Sequence, residues 1–532
     1  MHLERTTWLP SVERRSVPHF GGAFSSTPLI LSFWAILSCQ GFSQPNNPQA
    51  NKAQAANVIR PEYYKACNLF EDGQTSQAAL VLEAAFSQSR IVNNQRGIDS
   101  VPSLVKMGEC YWEQCDIGMA LERYDAALQI SMMSPRWLFL LKSSNSNTRP
   151  EPRNRDVPWA VNARGTQMGV FSDAWPIALG SNDLLLESAA GQGVTGKMVT
   201  IDAMEILRSQ AIALRRRNQL MGPLVRHNPL NDPQKRPLIS AFSVNVSSQS
   251  DAIQAAMNIC RALALLGAGE RSGAIQLLTQ NLSLTNGLDH PLTAIALLTL
   301  VDLAIESNEI IVAEERAIEA SIVAGRAGQM DHLAEAVEYV SETGFANGHE
   351  AATVKMIQQI VQWSMNKSRL VNIRGHVEFA RLSALVGETD AATRHCNAAA
   401  TMLLPKQVVL PRAESVVRYA QAKTAFLEGN IIKGIEKLYE GVAYLRNEKG
   451  IGSPMLFQLD LALQLTKSSA LSDSVAEAVL GQLLRSPAAG HWRVHPLEQL
   501  DWLLVDKTEA RNALLDIQIR KKKRFRVSCC NG

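Results

Sequence analysis

Small and large apolar residues recur at fixed offsets in two stretches of the chain. In YYKACNLFEDGQTSQAALVLEAAF (63–86), Ala66 is followed by Leu69, Ala78, Leu82 and Ala85. In LVKMGECYWEQCDIGMALERYDAAL (104–128), Gly108 is followed by Tyr111, Ala120, Tyr124 and Ala127 at the same offsets. Both stretches break near their middle, at Asp72-Gly73 and around Asp116 and Gly118. Each half carries apolar residues at the helical period, so each stretch predicts two helices returning across a short turn. Small residues at the crossing let the two backbones approach, and the large ones fill the space toward the next pair.

The same offsets return more faintly downstream. Ala262, Leu265, Ala274 and Leu278 form one set, Ala422, Gly434, Leu438 and Gly441 a second, and Ala380, Ala392, Cys396 and Ala399 a third. Segments between them, such as TAIALLTLVDLAIES and DHLAEAVEYVSE, also repeat at the helical period. The chain from 251 to 520 therefore predicts further helix pairs of drifting length.

Residues 135–250 break this pattern. SPRW, RPEPRNRDVPW and GPLVRHNPLNDPQKRP put prolines where a helix would need its hydrogen bonds. One helix is predicted inside, over 201–222, with Thr200 or Asp202 as its cap and Gly222-Pro223 as its stop. Its run Arg215, Arg216 and Arg217 lies near the predicted C-terminus, where the helix dipole favours positive charge.

The two clear copies resemble the tetratricopeptide repeat, with Leu104, Met107, Gly108, Tyr111, Ala120, Tyr124 and Ala127 at that family's signature positions. The resemblance implies an all-α, right-handed solenoid of antiparallel helix pairs, interrupted by the proline-rich region. It also implies that the first helix of each pair lines a concave groove for a protein or peptide partner. Carried onto this chain, the groove would present Tyr63, Phe70 and Glu71 from the first copy and Glu109, Trp112 and Glu113 from the second. A later copy would add Tyr419, Lys423 and Phe426. Rings beside carboxylates suit an extended peptide, the rings supplying area and the acids orienting lysines or backbone amides. The family's clamp for a peptide C-terminus is not implied, because its Asn and paired Lys positions are not filled.

Composition agrees with helices and narrows the function classes. The chain has 532 residues, 46% of them hydrophobic and only 6% aromatic, more than one ordinary core would hold. A net charge of +3 is too small to imply a nucleic-acid surface. The basic run from 520 to 526 predicts a solvated, disordered tail over 521–532. Eight cysteines form no C-x-x-C pair, and no histidine cluster accompanies them, so neither zinc nor a disulfide framework is expected. No cofactor is expected either.

The N-terminus predicts targeting. Arg5, Arg14 and Arg15 precede the apolar run TPLILSFWAIL, and small residues follow it, the order of a secretory signal over 1–43. A polar linker over 44–58 follows. Cleavage after Ser43, lipidation of Cys39 in ILSC, and retention as an anchor are all compatible with these residues. The expected location is exported, periplasmic or at the cell envelope, with membrane contact only through such a lipid or an uncleaved signal.

One stretch offers different chemistry. GQGVTGKM (191–198) matches a phosphate loop at Gly191, Gly196 and Lys197, but Met198 replaces the hydroxyl that holds magnesium. A phosphate loop also needs a strand leading in and a helix beginning at the Gly-Lys. The helix predicted here begins later, so a non-catalytic interaction scaffold is the preferred reading, with a nucleotide-binding enzyme as the alternative.

Overall fold

Two short turns set the first helix pairs. Helix α1 (Pro61–Glu71) ends at Gly73, whose φ of 75° is the left-handed conformation glycine adopts freely, and α2 (Thr75–Ser87) begins two residues later. Helix α3 (Val101–Glu113) is followed by α4 (Ile117–Met133), whose cap Asp116 accepts a hydrogen bond from the Met119 amide at 3.2 Å. Gly108 of α3 lies directly under the Tyr124 ring of α4: a Cβ there would come within 2.4 Å of the ring. Ala66, Ala78, Leu82, Ala120, Tyr124 and Ala127 are all fully buried, so the repeated offsets are the helix-crossing positions.

In this computed structural model, residues 59–530 are described, except 60, 93–94, 135–136, 141–149, 154, 172–174, 180–196, 233–235, 245–249, 448–449 and 486–495. The chain is mostly helical, with few strands. After α4 come α5 (Ala203–Met221), the short α6 (Pro237–Ala241), α7 (Asp251–Gly267) and α8 (Arg271–Gln280). Then follow α9 (Thr293–Glu306), α10 (Ile310–Ala327), α11 (Met330–Ala346), α12 (Glu350–Ser364), α13 (Arg369–Leu385) and α14 (Thr389–Leu403). The last are α15 (Pro411–Leu427), α16 (Ile431–Leu445), α17 (Pro454–Lys467), α18 (Asp473–Leu483), α19 (Pro496–Leu504) and α20 (Thr508–Cys530). Most consecutive helices pack against each other, and α11, α13 and α15 also pack in series. Late helices return to early ones: α13 touches α1, and α17 touches α4 and α5. One hydrophobic core runs through nearly all of them.

The described residues of the proline-rich region include strands that its sequence does not predict. After the paired strands β1 (Ile91–Val92) and β2 (Gln95–Arg96), which lie between α2 and α3, strands β3 (Glu151–Arg153), β4 (Gln167–Val170) and β7 (Leu288–Asp289) make a small sheet, antiparallel between β3 and β4 and parallel between β4 and β7. Strands β5 (Trp175–Leu179) and β6 (Lys197–Ile201) pair antiparallel. Arg164 fastens the segment to the helices through Asp289 at 2.9 Å and Glu319 at 2.6 Å. Trp159 adds a hydrogen bond from its indole to Ser321 at 3.1 Å. The periodicity of 201–222 corresponds to α5, with Asp202 as the cap that accepts from Glu205 at 3.0 Å.

The C-terminus differs from expectation. Helix α20 runs through the basic segment where a disordered tail is predicted over 521–532. Arg520 pairs with Asp473 of α18 at 2.8 Å, and Lys521 pairs with Glu477, so the charges continue the helix along a neighbour. No described helix is long and apolar enough to cross a membrane. Residues 1–43 and Cys39 lie outside the described residues.

Candidate functional site

Helix α5 is buried nearly all round, yet it carries four buried arginines. Such a helix has to satisfy each charge inside the protein. Arg217, 1% exposed, reaches Asp125 at 2.7 Å. Arg216 bridges Glu109 at 3.0 Å and Glu335 at 2.9 Å. Arg215 bridges Asp302 and Glu335, both at 2.9 Å. Arg208 holds Asp331, which also takes Lys106 of α3 at 2.8 Å. The arginines at 215–217 are therefore not surface charges favoured by a helix end, as the sequence suggests. They are the internal counterions of α3, α4, α9 and α11.

The network fixes its own charge states. Burial opposes ionisation of Glu335, but Arg215 and Arg216 outweigh it and hold the carboxyl at about 2. Asp331 is likewise held well below its ordinary value by Arg208 and Lys106, against the burial that would raise it. Buried pairs of this kind do not by themselves stabilise a fold, but losing one partner is costly, by about 3–5 kcal/mol.

In front of the network is a cavity of about 320 Å³, at the small end of the roughly 300–1,000 Å³ common for ligand sites. Its wall is drawn from α1, α3, α5, α9, α11, α13, α15, α17 and α19. Eight carboxylates line it (Glu109, Glu113, Asp302, Glu306, Asp331, Glu335, Glu338 and Glu498) against the three arginines Arg216, Arg374 and Arg412. Apolar surface comes from Phe70, Trp112, Ile305, Ala334 and Leu370.

Four residues expected in a groove, Phe70, Glu109, Trp112 and Glu113, do line this cavity. Their faces are largely engaged already. The guanidinium groups of Arg216 and Arg412 lie 4.7 and 4.1 Å from the centre of the Trp112 ring. Lys106 stands 4.7 Å from the centre of the Phe70 ring. Glu113 pairs with Arg374 at 2.7 Å.

The other expected positions fall elsewhere. Tyr63 is buried, 1% exposed, and donates its hydroxyl proton to Glu205, because α5 covers the face an open groove would leave free. Glu71 is half-buried beside this network; burial first, then Asp331, push it up to about 7. Tyr419 lines a second cavity of about 50 Å³, which shares Glu338, Arg412 and Glu498 with the first. Phe426 lies over Gly434 of α16, a helix-crossing contact. Lys423 is half-buried and outside both cavities.

Sequence reasoning found Glu109 and Glu113 but missed the acidic face that α11 contributes. Asp331, Glu335 and Glu338 recur along α11 at spacings that place them together on one side of the helix. Arg208, Arg215 and Arg216 recur along α5 in the same way. Charges at helical spacing among core positions were the available signal.

The phosphate-loop alternative meets a different backbone. Lys197 begins strand β6, and the next helix starts only at Ala203. The amides of a helix N-terminus are thus not presented at Lys197. Gly191 and Gly196 lie outside the described residues. No group of three or more potential metal ligands is found among the described residues. No protein-family model matches the chain, and no curated protein is similar to it in sequence.

Proposed function

We propose that this protein is an interaction scaffold built from stacked tetratricopeptide-like helix pairs, which receives a segment of a partner protein in its inner cavity. The observation that carries the reading is the origin of the cavity wall. It is assembled from helices spread from α1 to α19, and α1, α3, α9, α11, α13 and α15 each lead a packed helix pair. A stack of pairs brings first helices to one side in this manner. The mixture of rings, aliphatic side chains and carboxylates supports a polypeptide ligand.

Filling the cavity tests this directly. Ala334 is 4% exposed and lines the wall on α11. Ala334→Phe is expected to abolish retention of the partner recovered by affinity capture with the wild-type protein, while the protein still folds with its oligomeric state unchanged and loses about 1–3 kcal/mol of stability to overpacking. Equal retention by a folded Ala334→Phe protein would contradict the reading.

A further inference from the structure

We propose that the cavity accepts a lysine or arginine side chain from an extended partner segment, with Glu338 as the carboxylate that receives it. This rests on the scaffold reading above and names the chemistry of its ligand. The charges of the wall decide the sign. Arg216 is matched by Glu109 and Glu335, Arg374 by Glu113, and Arg412 has Glu498 at 3.6 Å. Asp302 and Asp331 are matched from behind by Arg215, Lys106 and Arg208. Glu306 is drawn outward to Arg271 at 2.6 Å. Among the described residues of the wall, Glu338 is the carboxylate with neither a hydrogen bond nor an ion pair in direct contact, and it feels Arg374, already paired with Glu113, only at longer range. It also borders the smaller cavity, whose wall holds Glu342 and Glu378.

A second observation points the same way. Gln499 is 2% exposed and lines the cavity, and its Oε1 has no hydrogen-bond donor. Its Nε2 is directed at the Met455 sulfur at 3.5 Å, which leaves the carbonyl as the open end. Buried acceptors are ordinarily satisfied. An ammonium or guanidinium group carries donors for both Glu338 and Gln499, and an anion carries none. Arg374, in the same wall, has Nη1 without an acceptor. A peptide backbone offers carbonyl oxygens to that group, which favours a basic residue within a chain over a free amine.

The test uses short blocked alanine peptides with one central Lys, Arg, Gln or Glu, titrated against the full chain by calorimetry. The Lys and Arg peptides are expected to bind at least about ten-fold more tightly than the Gln peptide, the ratio typical of a charge-assisted hydrogen bond. The Glu peptide is expected to bind weakest. Glu338→Gln should bring the Lys peptide to within about two-fold of the Gln peptide. Gln499→Leu should weaken the Lys peptide more than the Gln peptide, which keeps the test decisive if Glu338→Gln does not fold. Equal binding of the Lys and Gln peptides, a preference that survives in folded Glu338→Gln, or no binding at millimolar peptide would overturn the proposal. Ala334→Phe separates the two levels. If it abolishes binding of Lys and Gln peptides that bind the wild type alike, the cavity is the site and the cation preference is wrong. If it leaves peptide binding intact, the cavity reading itself fails.

Discussion

Glu71 shows how one side chain couples the acid network to pH. Its carboxyl is half-buried, and burial together with the nearby Asp331 lifts it from 4.5 to about 7. The folded protein therefore holds this proton more tightly than the unfolded chain does. The stability it contributes is complete below about 4.5 and is lost as pH rises through about 7. Glu71→Gln keeps the shape and removes the titration. The variant should melt higher than wild type at pH 8 and at nearly the same temperature at pH 4.5, as read by circular dichroism. A constant difference at both pH values would show that Glu71 does not titrate in this way. The position itself was legible in the sequence, as a residue beside the first repeat's anchor. Its environment was not, because Asp331 and Lys106 arrive from segments with no local relation to it.

Among the elements, the hairpin of α3 and α4 rests on one close approach. Gly108 allows the Tyr124 ring to lie against the α3 backbone, and the Tyr124 hydroxyl then donates to Glu109 at 2.6 Å. The spacing of Gly108 and Tyr124 revealed this crossing from sequence alone. Gly108→Ala forces the ring aside and should cost about 1–3 kcal/mol in urea denaturation, the range for overpacking a tight contact. Stability equal to wild type would mean that the ring relocates freely. Helix α5 was equally legible as a helix, with its cap and stop, but its role was not. A local pattern shows that arginines share a helix end; it does not show that Asp125, Glu109, Asp302 and Glu335 close on them. The prolines of 135–250 gave a mixed signal: Pro223, Pro229 and Pro237 stand in the first turns of short helical segments, where a missing amide costs nothing. The short strands went unseen because two to five residues carry too little alternation to register.

At the scale of the molecule, all-α architecture follows from the helical period and the recurring small residues, and the structure is mostly helical. The candidate site was only half visible. Phe70, Glu109, Trp112 and Glu113 were expected, while α9, α11, α13, α17 and α19 supply most of the remaining wall. Convergence of distant helices on one cavity depends on how successive pairs are rotated, which no single repeat encodes. The central claim is that a partner enters this cavity instead of covering the outer helices. Backbone hydrogen exchange, followed by mass spectrometry with and without the captured partner, tests it most directly. The account predicts added protection in α3 and α11, with α2, α10 and α14 unchanged. Protection confined to α2, α10 and α14, with α3 and α11 exchanging as in the free protein, would contradict it.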